Sequence, residues 1–127
     1  MIPVGDPFPT MTFPSSKGGD IDLRDIFAQG PSIIGVVPRD DRPAWLEAAA
    51  RHTSDWLLGK FLNVYLVLNV EPAEARRLCD EYGIQAPVLC DTDGILGPHA
   101  EGFYRVSAEG AVEKAVDKVT ELDEINA

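Results

Sequence analysis

A chain of 127 residues with 45% hydrophobic and 25% charged side chains has the size and composition of one globular domain able to build its own core. Eleven basic residues against 21 acidic ones leave a formal charge of −10. That field repels phosphate backbones and anionic lipid surfaces, which excludes nucleic-acid binding and membrane docking as functions.

The opening Met1-Ile2-Pro3-Val4-Gly5-Asp6-Pro7 has neither the basic nor the apolar stretch of a secretory signal, and no apolar run reaches bilayer length. Cys79 and Cys90 are too few for a disulfide scaffold. A soluble protein of the reducing cytoplasm is expected.

Around the turn Ser15-Ser16-Lys17-Gly18-Gly19, two short strands are expected at Met11 to Phe13 and Ile21 to Leu23. A short helix from Leu23 to Ala28 follows and is stopped by Gly30-Pro31. Ser32 to Val37 is apolar without alternation, the pattern of a strand covered on both faces. Beyond the charged loop Pro38 to Pro43, the residues Trp45, Leu46, Ala49, Ala50, Thr53, Trp56 and Leu57 recur at helical spacing, with an end expected near Gly59. Leu62 to Leu68 reads as a second buried strand. Pro72 opens a helix with Ala75, Leu78, Cys79 and Tyr82 on one stripe, closed by Gly83.

Pro87 to Cys90 is a third strand, ending in the turn Asp91-Thr92-Asp93-Gly94, after which a brief helical segment is expected. Phe103 to Val106 and Val112 to Val116 flank Ala108-Glu109-Gly110 as a hairpin. Thr120 is placed to cap a last short helix through Ile125. No repeat, linker or low-complexity tract divides the chain, so residues 1–127 form one domain. Strands alternating with helices imply a parallel sheet. The terminal hairpin makes it mixed, giving an α/β fold with a mixed central sheet and helices on both faces.

Four segments in chain order resemble one family. Val4-Gly5-Asp6-Pro7-Phe8-Pro9 resembles the Val-Gly-Asp-x-Ala-Pro opening of peroxiredoxins of the thiol-specific antioxidant and alkyl hydroperoxide reductase type. Gly18 to Ile26 resembles the Gly-x-x-x-x-Leu-x-Asp stretch that follows. Val36 to Trp45 resembles the active-site loop, and Pro87 to Gly94 is similar to Pro-x-Leu-x-Asp-x-x-Gly. The resemblance implies a thioredoxin-like fold.

It also marks a departure at the chemistry. The family's Pro-x-x-x-Thr-x-x-Cys, counted from Pro38, puts Arg42 at the hydroxyl residue and Trp45 at the peroxidatic cysteine. Counted back from Gly110, the family's later arginine falls at Glu101, with Arg105 the nearest arginine. Peroxide reduction needs a thiolate nucleophile, and an indole is none. Peroxidase activity is therefore not expected.

Two function classes stay open. One is a non-catalytic binding or scaffold domain, using the loop residues Pro38, Arg39, Asp40, Arg42 and Trp45, since Arg and Trp are frequent interface anchors. Its partner would be a protein or a small molecule. The other is a thiol–disulfide oxidoreductase or antioxidant protein using Cys79 and/or Cys90, which as core residues would instead be inert. No cofactor is expected. No metal is expected either: His52 and His99 stand alone, and Asp91 to Gly94 fits a turn better than a calcium loop. With only Thr120 to Ala127 left to cover the sheet, a homodimer is expected, unless the segment with Phe8, Met11 and Phe13 folds back over that face.

Overall fold

The computed structural model describes residues 1–58 and 63–126. The helix end expected at Gly59 and the strand start expected at Leu62 lie outside the described residues. A two-stranded antiparallel unit, β1 (Thr12–Pro14) and β2 (Asp20–Asp22), leads into α1 (Leu23–Ala28). The Asp22 carboxylate caps α1 by accepting from the Arg24 N–H at 3.0 Å. Then come β3 (Ser32–Val36), α2 (Arg42–Leu58), β4 (Asn63–Leu68), α3 (Pro72–Tyr82), β5 (Val88–Cys90), β6 (Gly102–Val106) and β7 (Val112–Val116). A 3-10 helix over Val119–Asn126 follows.

The five longer-range strands form one sheet in the order β5-β4-β3-β6-β7. β3, β4 and β5 run parallel; β6 lies antiparallel to β3, and β7 antiparallel to β6. The two-residue period of a strand assigns the faces. Ile33, Val64, Leu66 and Leu68 point to the side covered by α2, α3 and the 3-10 helix, through Leu46, Trp56, Leu78 and Leu122. Ile34, Val36 and Val67 point to the other side, which α1 covers with Leu23, Ile26 and Phe27, and the N-terminal segment with Phe8 and Phe13. Every residue of β3 is buried: Ile33 to Val36 as a run without polar side chains requires, and Ser32 with its hydroxyl donating to the Gly30 carbonyl at 3.1 Å.

The N-terminal segment is a strap across that second face. At one edge, the Gly5 and Phe8 amides donate to the carbonyls of Val112 and Gly110, both at 2.8 Å, and the Val112 amide donates to the Asp6 carbonyl at 2.9 Å. At the opposite edge, the Ser16 amide donates to the Val88 carbonyl at 2.8 Å, and the Val88 amide donates to the Ser16 hydroxyl at 3.0 Å.

Three sequence expectations are corrected. Leu57 is 43% exposed; Trp56 takes the inward position, and the next residue lies about 100° further round the helix. No helix follows Gly94: the segment is a series of turns, with one helical hydrogen bond from the Ala100 amide to the Leu96 carbonyl at 2.8 Å. Gly97 and Pro98 interrupt it, one by backbone freedom and the other by its missing N–H. The last helix is a 3-10 helix that starts at Val119, so Thr120 lies exposed inside it rather than at its cap. Among the described residues, no helix is long and apolar enough to cross a membrane.

Candidate functional site

The parallel strands β3, β4 and β5 end on the same side of the molecule, and a cleft of about 420 Å³ opens there. In open α/β sheets this is where ligands bind, because the loops leaving the strand ends diverge. Val36 and Val37 at the end of β3 and Val67 in β4 form its apolar floor. The loop before α2 contributes Arg39 and Asp40, and Arg42 opens α2. Asn69 follows β4, Asp91, Asp93 and Gly94 follow β5, and Gly97, Pro98 and Glu101 complete the rim.

Local hydrogen bonds hold this frame. Asp91 is buried at 3% exposure, and its carboxylate accepts from the amides of Ile95 at 2.8 Å and Leu96 at 2.9 Å. Both oxygens are thereby committed to shaping the rim. Glu101 accepts from the Arg39 amide at 2.9 Å and so ties the loop before α2 to the start of β6. In the amide orientation that satisfies its neighbours, Asn69 donates to the carbonyls of Asp91 and Thr92, both at 3.0 Å. Its oxygen accepts from Arg39 Nη2 at 2.7 Å. Asp41 stands at φ +59°, a left-handed conformation that Asp tolerates better than most residues. From there its carbonyl accepts from the Trp45 amide at 3.2 Å, opening α2.

Of the five binding-loop residues read from the sequence, Arg39, Asp40 and Arg42 line the cleft. Pro38 is half-buried and Trp45 buried, and neither lines it. Trp45 is 4% exposed and turned into the core beneath α2. It stacks on Phe103 with ring centroids 5.2 Å apart and planes 9° from parallel. Trp56 tilts against the same ring, and His52 stacks on Trp56. The position that the resemblance gives to a nucleophile is thus part of an aromatic column.

Neither cysteine lines the cleft. Cys90 is buried, and Cys79 packs half-buried against the same core. Burial pushes both thiols above their ordinary value; the Ser16 hydroxyl and Lys17 act in the opposite direction at Cys79, and Arg76 does so at Cys90. Among the described residues, no group of three or more His, Cys, Asp or Glu side chains gathers as metal ligands.

The sequence pattern shows Asp91 to Gly94 only as a turn and Glu101 only at the family's arginine position, and it does not single out Asn69. The available signal was their place: Asn69 and Asp91 each directly follow a buried parallel strand, where a crevice opens.

No family model matches the chain, and no curated protein sequence matches it. Solved structures do. A cysteine-to-serine mutant of PrxQ from Xylella fastidiosa superposes with a TM-score of 0.77 at 16% identity, covering 98% of this chain and 92% of that one. AhpC from Enterococcus faecalis gives 0.75 at 17% identity over 95% and 88%. Peroxidoxin BcpB from Mycobacterium tuberculosis gives 0.74 at 12% identity over 95% and 91%. These likenesses show the fold: the chain has a thioredoxin-like fold similar to that of these peroxiredoxin structures.

Proposed function

We propose that this domain does not reduce peroxides and works as a binding domain through the cleft at the ends of β3, β4 and β5. The observation that carries the reading is Trp45. An indole stands where the resemblance asks for a thiolate, and it is packed on Phe103 rather than presented to the cleft. Peroxide reduction transfers oxygen to a thiolate, and the cleft holds guanidinium, carboxylate and amide groups but no sulfur. The second reading, thiol–disulfide chemistry at Cys79 and Cys90, meets the obstacle that burial favours the neutral, unreactive thiol at both.

Stopped-flow mixing with hydrogen peroxide and an alkyl hydroperoxide is expected to show no consumption above that of a free thiol. Turnover that disappears when Cys79 or Cys90 is replaced would overturn the reading in favour of the second. Thiol titration before and after peroxide reads the same question: an oxidoreductase loses accessible thiol and regains it with reductant.

A further inference from the structure

The charged groups of the cleft divide into those already committed and those left over. Asp91 holds the Ile95 and Leu96 amides, Glu101 holds the Arg39 amide, and the Arg39 guanidinium is engaged by Asn69. Arg42 is different. Its Nε is shielded from solvent and makes no hydrogen bond among the described residues. Glu74, a carboxylate close enough to feel the Arg42 charge, is bound to Arg77 instead. A buried donor without an acceptor is costly, so the Arg42 guanidinium gains by turning toward an acceptor in the cleft that the residue lines. Guanidinium Nε and Nη groups present two parallel N–H bonds, the geometry that a carboxylate accepts.

Asp40, two residues before Arg42, and Asp93, after β5, are exposed carboxylates of the same lining. The lining carries Arg39 and Arg42 against Asp40, Asp91, Asp93 and Glu101, so negative charge is in excess. A simple anion would meet one receptive guanidinium and a surplus of repelling carboxylates. A ligand with an acidic group for Arg42 and positive charge for the exposed carboxylates meets neither penalty. The valine floor suits an aliphatic stem between the two, and about 420 Å³ accommodates a small molecule rather than a folded partner.

We infer that the cleft takes a small zwitterion with surplus positive charge, of the basic amino acid or short basic peptide class, with its carboxylate on Arg42 and its side-chain cation toward Asp40 and Asp93. This rests on the reading of the cleft as a binding site.

The test follows amide signals of Asn69 and Gly94 in the 15N-labelled protein during titration with L-lysine, L-arginine, L-norleucine, L-glutamate and acetate. Lysine and arginine are expected to bind at least about tenfold more tightly than norleucine. Replacing Arg42 with Met is expected to weaken both by about tenfold or more, with the rest of the spectrum unchanged. Asp40→Asn with Asp93→Asn should bring lysine down to the level of norleucine. Glutamate or acetate binding more tightly than lysine, and lost in Arg42→Met, would overturn the ligand class and leave the cleft a binding site. If no probe moves these signals, both the inference and the binding reading fall. Peroxide turnover through a cysteine would instead remove the proposed function while leaving the titration to stand by itself.

Discussion

Trp45 contributes to this molecule as packing. Its ring lies flat on Phe103, and buried aromatic truncations typically cost about 3–5 kcal/mol. Trp45→Ala is expected to lower the urea midpoint accordingly, and a change well below 1 kcal/mol would show that the stack contributes little. Its number came from spacing alone, by counting from Pro38, but spacing does not say which way a side chain turns. Only the packing of α2 on the sheet shows Trp45 leaving the cleft while Arg42, three residues earlier, enters it. The buried titratable groups make a second prediction. Burial raises the thiols of Cys79 and Cys90 above 9.0 and the Tyr104 hydroxyl above 10.0. The unfolded chain therefore releases these protons first, and the folded state binds more protons above those ordinary values. The stability that the two thiols contribute is fully present below pH 9.0 and is lost as pH rises through their raised values. Equilibrium unfolding across that range should show the decline, and Cys79→Ser with Cys90→Ala should flatten its first part. A decline that the double variant leaves unchanged would mean that the thiols are not its source.

Among the elements, β3 was legible because Ile33 to Val36 carry no polar side chain to turn toward water, and α3 because Pro72 and Gly83 punctuate its ends. Gly83 sits at φ +67°, and its amide donates to the Cys79 carbonyl, as a helix-ending glycine should. The segment after Gly94 was not legible. Its shape depends on the Asp91 carboxylate reaching forward to Ile95 and Leu96, a side-chain tether that periodicity does not register. The terminal helix was legible in place but not in type: Leu122 and Ile125 are buried at i and i+3, a spacing that both helix types allow. Gly35 shows what a strand glycine does when its partner is large. It pairs with Phe103 across β3 and β6, and a methyl group there would overlap the Phe103 ring. Gly35→Ala is expected to cost about 1–3 kcal/mol by displacing that ring and to weaken the near-UV circular dichroism of the tryptophan stack. An unchanged spectrum with unchanged stability would show that the ring shifts freely.

For the whole molecule, the strap changes the argument about assembly. The homodimer expected from sequence rested on a sheet face left bare by a short C-terminal segment. Phe8 and Phe13 cover one face at 2% and 3% exposure, and Leu122 and Ile125 complete the other. Sedimentation over a wide concentration range reads whether any other surface associates. Removal of residues 1–16 is expected to uncover Ile34, Val36, Val67 and Leu89, and with them dye-binding apolar surface and aggregation. A truncated chain that stays monodisperse and dye-silent would deny the strap its role. The strap also imposes an order on synthesis. The Ile2 amide donates to the Tyr104 hydroxyl across 102 positions of sequence, and Gly5 and Phe8 bond to the hairpin made after it. The strap residues that bond there leave a ribosome before β6 and β7, and have no partners in those strands until they follow. Until then Phe8 and Phe13 are exposed to whatever the nascent chain meets, and the domain closes in one late step.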